Sequence, residues 1–212
     1  MEREALLPAA VKMGGAALAV HDHLCLAYDS GPERDRMIVE LLVEGLRAGH
    51  RCLCLAAASD QLAISARVAE QGEVAVEFDE GQREGRLEFV DPAHSYLRGG
   101  RFSSGQMGQF WADWAVAISD RRRGISRIVA DMSWAQAFLA PDFVDDLVRY
   151  EAQFNLWNQA HTQETVCLYD TGRFPDDLIL RLSKVHSQLL IDGEATPNPF
   201  HVDLARILAY ER

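Results

Sequence analysis

The sequence lacks any apolar run near the roughly 18 residues that a membrane-spanning helix needs. Its N-terminal segment is only mildly apolar and opens with Glu2 and Glu4, whereas a secretory signal peptide opens with positive charge. The four cysteines lie inside apolar runs without CxxC spacing, so no disulfide framework is expected. These absences favour a cytoplasmic protein whose core forms without disulfide bonds.

Positive charge is also scarce. The 212 residues carry a formal net charge of −11, and an acidic surface repels the phosphates of nucleic acid. The one basic run, Arg121 to Arg123, is interpreted as a solvated helix end. Neither nucleic acid nor a membrane is therefore an expected partner. We assign residues 19–212 to a single domain and residues 1–18 to an N-terminal appendage.

The motifs of common enzyme classes are missing as well. There is no GxSxG nucleophile elbow, and His186 falls in a predicted helix, where a histidine is more often a partly buried polar group than a base. The loop YDSGPERDR stands where a phosphate loop would stand, but it has one glycine and no lysine. Pro32 removes a backbone donor there, and Glu33 and Asp35 would repel phosphate. The sequence therefore predicts no enzyme and no intact phosphate loop.

Short apolar runs alternate with amphipathic helical patterns along the chain. This alternation predicts an α/β fold whose mostly parallel sheet is covered on both faces, as a three-layer sandwich. The predicted strands are HLCLAY (23–28), RCLCLAAA (51–58), LEFVD (87–91), SRIVAD (126–131), TVCLYD (165–170) and a possible edge strand, LLID. TPNPF (196–200) is predicted to be a turn, followed by a short C-terminal helix.

Polar and aromatic side chains follow each predicted strand. Parallel strands present their carboxyl ends at one edge of the sheet, where ligands of open α/β folds bind. Capping explains the Asp and Ser residues there, but the aromatic residues are poor caps and suit the walls of a pocket. The predicted ligand-binding residues are Tyr28, Ser30, Asp91, Tyr96, Asp131, Trp134, Asp170 and Arg173.

Two further patterns leave alternatives open. His21, His23 and Cys25 alternate, so on a strand they share one face and could bind zinc; the alternative is a polar strand entry with a buried thiol. Glu151 and Asn155 are four residues apart on a predicted helix, and they either pair with Arg173 or line the pocket.

A series of segments, in order, resembles the MEDS domain, the methanogen/methylotroph DcmR sensory domain. The series is HDHLCLAYDS, GLRAGHRCLCLA, YLRGGRF, IVADMSWA, RYEAQFN, VCLYDTGRF and a late His186 followed by NPF. The resemblance covers about residues 20 to 203 and implies a RecA/KaiC-like sheet whose phosphate loop has degenerated. It also implies a sensor of small molecules, with hydrocarbon derivatives as the proposed ligands.

The resemblance implies a role in transcriptional control, because members of the family are often joined to DNA-binding or kinase-like modules. We expect this chain to act as a stand-alone sensory module that signals through a regulatory protein partner or by self-association. The alternative is a residual nucleotide binder, in which Asp131 would hold a metal ion. A third interpretation is a scaffold whose filled cavity serves folding only. The sequence names neither the ligand nor a cofactor.

Overall fold

The computed structural model describes residues 11–13, 16–119, 124–191 and 194–202. Within these ranges the strands are β1 (Val11–Met13), β2 (Ala16–Leu18), β3 (His23–Tyr28), β4 (Arg51–Leu55), β5 (Leu87–Val90), β6 (Ser126–Asp131), β7 (Gln163–Asp170), β8 (Gln188–Ile191) and β9 (Glu194–Pro197). Its α-helices are α1 (Gly31–Arg47), α2 (Ala58–Ala69), α3 (Glu73–Arg83), α4 (Ser104–Ser119), α5 (Pro141–Ala160) and α6 (Asp176–Val185). Short 3-10 turns cover Pro92–His94 and Ser133–Phe138.

Seven strands form one sheet in the order β5-β4-β6-β7-β3-β8-β9. Every neighbouring pair is parallel except β8 and β9, which are antiparallel. One core contains Ile38, Ile64 and Phe78, from α1, α2 and α3. The other contains residues of α4, α5 and α6, such as Trp111 and Leu147. The predicted three-layer α/β fold with a mostly parallel sheet is confirmed.

The turn from β3 to α1 is short because strong local signals start the helix. Only Asp29 and Ser30 separate the two elements. Ser30 adopts an extended conformation as the N-cap, and its hydroxyl accepts a hydrogen bond from the Glu33 backbone N–H at 3.4 Å. Pro32 lies in the first turn, where a helix needs no backbone donor. No room remains in this turn for the loop of amide groups with which a P-loop surrounds phosphate.

The sequence pattern did not predict α3, β9 or the pair of strands β1 and β2. Helix α3 lies between α2 and β5, and β9 pairs with β8 where the sequence predicted the start of a turn. Strands β1 and β2 pair antiparallel in a separate two-stranded sheet, and Leu18 at the end of β2 is buried in the core that also contains Ile38 of α1. The boundary at residue 18 stays a prediction. The predicted C-terminal helix, the basic run 121–123 and residues 1–10 lie outside the described residues.

No helix in the described ranges combines the length and apolar character needed to cross a membrane.

Candidate functional site

Three of the predicted residues meet at the carboxyl edge of the sheet because β6, β7 and β3 are neighbours there. Tyr28 and Asp170 are paired in the register of β3 and β7. Asp131 ends β6 on the other side of β7, and the Tyr28 hydroxyl donates to Asp131 Oδ1 at 3.2 Å. The ends of β3, β6 and β7 therefore lie together at one edge of the sheet, as the sequence pattern predicted.

Arg34, which the sequence analysis did not single out, supplies the positive charge at this edge. Its side chain returns from the first turn of α1, and Nη1 donates to Asp131 Oδ2 at 3.3 Å. Nη2 lies 2.9 Å from an Asp60 carboxylate oxygen and 2.7 Å from one of Asp35. A guanidinium from the chain itself thus occupies the side of Asp131 that a bound metal ion would need.

Asp131 is almost fully buried and well supplied with donors. Besides Tyr28 and Arg34, the Ser133 backbone N–H and hydroxyl donate to it at 3.1 and 2.9 Å. Burial raises the pKa of the Asp131 carboxyl, while Arg34 and Ser133 act to lower it. Burial and the Asp131 charge raise the pKa of the Tyr28 hydroxyl, which remains a hydrogen-bond donor.

Three other predicted residues, together with Asp170, hold turns together. Ser30 caps α1, and Asp91 accepts the backbone N–H groups of Ala58 and Ala93, both at 2.7 Å. Asp170 accepts the Gly172 N–H at 2.9 Å and lies 3.4 Å from Arg173, whose side chain is 69% exposed. The side chains of Ser30, Asp91 and Asp170 accept backbone N–H groups at helix starts and turns, which is the capping role considered for them from the sequence.

The remaining predicted pair, Tyr96 and Trp134, belongs to an aromatic cluster behind the edge. Their rings are stacked with centroids 4.7 Å apart. The ring centroids of Phe102 and Phe143 lie 5.6 and 5.9 Å from that of Trp134, and Tyr150 packs edge to face against Tyr96. The indole N–H of Trp134 is buried and has no hydrogen-bond partner among the described residues.

An open depression of about 500 Å³ adjoins this cluster. It lies between the segment before α4, the 3-10 turn after β6 and the first turns of α5. Its lining is Arg101, Phe102, Ala137, Phe138, Leu139, Ala140, Asp142, Phe143 and Asp146. Its volume is within the range of small-molecule sites, and it has an aromatic wall with charged groups at the rim.

The two histidines before and in β3 have different environments. His21 is exposed at a positive φ of 78°, and its Nδ1 lies 3.1 Å from the Asn158 backbone oxygen. His23 and Cys25 point to the α5 face of the sheet, and His23 is fully buried. The predicted face is therefore shared by His23 and Cys25, while His21 lies outside the strand.

His23 belongs to a buried group of four side chains from different elements. Its Nε2 lies 3.4 Å from both Cys167 Sγ on β7 and Glu151 Oε2 on α5. His186, the C-cap of α6, places Nε2 3.7 Å from the same Glu151 oxygen, and Cys167 Sγ is 3.8 Å from it. We call His23, Glu151, Cys167 and His186 the buried quartet. Cys25 is paired with Cys167 in the strand register but is not one of the four.

Burial sets the protonation of the quartet. It lowers the pKa of His23 to about 4 and that of His186 to about 3. It raises the pKa values of the Glu151 carboxyl and the Cys167 thiol. All four side chains are therefore driven toward their neutral forms when no other charge is near.

Of this group, the sequence analysis named only His23 as a candidate metal ligand. Glu151 was expected either to pair with Arg173 or to line the pocket, but it lies against His23 and His186 and does not contact Arg173 among its described interactions. Asn155 hydrogen bonds with His23. The signal that could have found the quartet was the alternation of His23 with Cys25, extended to the neighbouring strand that carries Cys167.

Comparison with known proteins identifies the family. The family model described as "MEDS: MEthanogen/methylotroph, DcmR Sensory domain" matches residues 22–187. The chain belongs to this MEDS family. Comparison with curated protein sequences gives no match.

One solved structure similar to this MEDS chain is that of a KaiC-like protein from the hyperthermophilic archaeon Pyrococcus horikoshii OT3. The similarity has a TM-score of 0.58 and covers 86% of this chain and 80% of that one. At 14% identity it shows the fold alone. The expected relationship to the RecA/KaiC-like fold is thus confirmed.

Proposed function

We propose that this protein is a sensory module that binds a small, largely apolar ligand in the depression beside the carboxyl edge of its sheet. The observation that carries the proposal is the aromatic wall of that depression, formed by Phe102, Phe138 and Phe143. Aromatic walls provide apolar contact area, and the rim residues Arg101 and Asp142 can orient a polar group. Hydrocarbon derivatives, the ligands suggested by the family resemblance, have this chemistry.

The position of the depression suggests how binding becomes a signal. Its lining includes the first two turns of α5, and Trp134 contacts three of its aromatic neighbours. A ligand there would favour one arrangement of α5 and the segment 101–102 over another. We propose that the change alters a surface read by a regulatory protein partner or a second copy, in transcriptional control. Such a shift requires different affinities for the two arrangements.

The nucleotide alternative is less well supported by the geometry. The two-residue turn between β3 and α1 is too short to surround a phosphate group with backbone N–H groups. Arg34 also neutralises Asp131, the residue that would hold the metal ion. Phosphate would also meet Glu33 and Asp35 at the same turn. ATP and GTP, with and without Mg²⁺, therefore serve as a comparison group in the ligand screen.

The test is a screen of small aromatic and short-chain hydrocarbon derivatives by thermal shift and tryptophan fluorescence. We expect a ligand that raises the melting temperature and changes the emission of Trp134. Phe143→Ala should weaken its binding by roughly tenfold, the value of one buried aromatic contact. Leu156→Ala is the matched control, since Leu156 is exposed on the same helix.

Two results would contradict the proposal. One is a set of ligands whose affinities Phe143→Ala leaves unchanged. The other is a stabilising shift by nucleotide with Mg²⁺ that Asp131→Asn abolishes, which would establish the nucleotide alternative.

A further inference from the structure

The tautomers of the two buried histidines follow from their outer hydrogen bonds. His186 Nδ1 lies 2.7 Å from the Leu182 backbone oxygen, which can only accept, so Nδ1 carries the proton. The Asn155 amide nitrogen donates to the Val185 backbone oxygen. The Asn155 Oδ1 therefore faces His23 Nδ1 at 3.1 Å as an acceptor, and that nitrogen also carries its proton. Both Nε2 atoms consequently direct lone pairs into the quartet.

The interior of the quartet has more acceptors than donors. Two Nε2 lone pairs face the Glu151 carboxyl group, with Oε2 3.4 Å from one and 3.7 Å from the other. Even in its protonated form this group carries a single hydrogen and can donate to only one of the two histidines. The Cys167 thiol is a weak donor, and among the described residues the Tyr169 hydroxyl acts only on the Glu151 carboxyl. Glu151 Oε1 and His186 Nε2 have no hydrogen-bond partner among the described residues, and both side chains are fully buried. Buried acceptors that face one another are unfavourable unless a positive centre lies between them.

The spacing of the four atoms fits a tetrahedral metal ion. Bonds of about 2.0–2.3 Å to nitrogen, oxygen and sulfur place neighbouring ligand atoms about 3.3–3.8 Å apart. Four of the distances within the quartet are 3.4, 3.4, 3.7 and 3.8 Å, and all ligand atoms lie within 4.8 Å of one another. Small side-chain shifts would complete the shell.

The charges and the outer contacts fit as well. A Cys167 thiolate and a Glu151 carboxylate together neutralise a divalent cation, so the buried site would carry no net charge. Histidine ligands of metals commonly donate their second N–H to a carbonyl oxygen, as His23 and His186 do here. Sulfur and imidazole ligands exclude Mg²⁺ and Ca²⁺ and favour Zn²⁺ and similar transition ions.

We propose that His23, Glu151, Cys167 and His186 form a closed, four-coordinate site for a divalent transition metal of the Zn²⁺ class. The site joins β3, β7, α5 and the end of α6. Because it is fully buried, the metal enters as the chain folds and acts structurally, by fixing α5 against the sheet. The proposal is independent of the ligand depression, since the quartet contains no residue that lines it.

The test begins with the metal content of the full chain expressed in medium containing Zn²⁺. We expect about one equivalent per chain by elemental analysis, retained through gel filtration. The protein is then unfolded with chelator and refolded with Co²⁺. A near-ultraviolet thiolate-to-cobalt band and the visible bands of tetrahedral Co²⁺ are expected, and Zn²⁺ should displace them.

Three variants identify which cysteine binds the metal. Cys167→Ala should lower the bound metal at least tenfold and abolish the thiolate band. Cys54→Ala removes an equally buried strand thiol from the opposite face and should leave both unchanged. Cys25→Ala removes the thiol beside Cys167 and should also retain the metal.

Asn155→Leu tests the outer hydrogen bond and should weaken Co²⁺ binding by roughly 10–100-fold while keeping the thiolate band at saturation. Folded wild-type protein that shows neither retained metal nor a thiolate band overturns the proposal. So does metal loss in Cys25→Ala or Cys54→Ala equal to that in Cys167→Ala.

Discussion

Two buried carboxylates on opposite faces of the sheet have opposite electrostatic environments. Asp131 receives hydrogen bonds from Tyr28, Arg34 and Ser133, and the guanidinium balances its charge. Glu151 Oε2 faces the Nε2 lone pairs of His23 and His186. Its other oxygen, Oε1, has no hydrogen-bond partner among the described residues. The first carboxylate has its cation within the chain.

The difference indicates which of the two carboxylates has room for a cation from solution. A carboxylate in a RecA-like fold at the end of β6 would be the first candidate for a metal ion, but in this MEDS chain Arg34 occupies its free side. The site that lacks a positive partner lies between α5 and the sheet. The carboxylate at the strand end therefore already has a cation beside it, whereas Glu151 faces only histidines and a thiol among the described residues.

The strongest way to break this comparison is to remove the internal cation. Arg34→Met leaves Asp131 buried beside Asp60 and Asp35 without a balancing charge, and should lower the free energy of unfolding by about 3 kcal/mol. Urea denaturation at neutral pH measures it. Arg36 lies two residues further on, and its ion pair among the described residues is with exposed Glu40, so Arg36→Met should cost less than about 0.5 kcal/mol. Equal costs would mean that Arg34 does not neutralise Asp131.

The same chemical change at both carboxylates should have opposite consequences. Asp131→Asn replaces an acceptor with a donor that faces Arg34, and should destabilise the protein by about 2 kcal/mol. Glu151→Gln, in metal-free protein, offers an N–H to a lone pair of His23 or His186, and should be neutral or stabilising by about 1 kcal/mol. Urea denaturation with chelator compares the two variants.

Zinc supplies the control for this pair of variants. Glu151→Gln should lose most of the stabilisation that refolding with Zn²⁺ gives the wild-type protein, whereas Asp131→Asn should keep it. A destabilised, metal-free Glu151→Gln protein would show that the quartet is satisfied without a cation.

The fold was predictable because each parallel strand is a short, continuous apolar run that ends in a polar residue. The ends of β3 and β6, at Tyr28 and Asp131, could be placed at one edge from that pattern alone. Helix α3 was missed because its acidic sequence has a weak apolar side, with only Phe78 and Gly81 buried. The pairing of β9 was missed because TPNPF has the composition of a turn.

The quartet could not be predicted in the same way. Its members come from β3, α5, β7 and the end of α6, and they meet only because β7 lies directly beside β3. Strand order is set by how helices cover the sheet as a whole, and no local pattern encodes it. Arg34 was overlooked for a related reason: in the sequence it is one charge among several at a helix start, and its partners Asp60 and Asp131 are far along the chain.

A third carboxylate, Glu44 on α1, lies between these extremes and gives the smallest expected effect. Arg127 is 3.8 Å away, but burial dominates and raises the Glu44 pKa to about 7 from 4.5. The folded state therefore holds the proton more tightly, and its advantage is lost as pH rises from 4.5 through 7. Glu44→Gln should match wild type near pH 4.5 and exceed it by about 1 kcal/mol at pH 8, a value reduced by partial exposure. Glu40→Gln, exposed one turn earlier, should show less than about 0.5 kcal/mol in parallel denaturation series. A constant difference for Glu44→Gln across this range would mean that Arg127 balances Glu44 as fully as Arg34 balances Asp131.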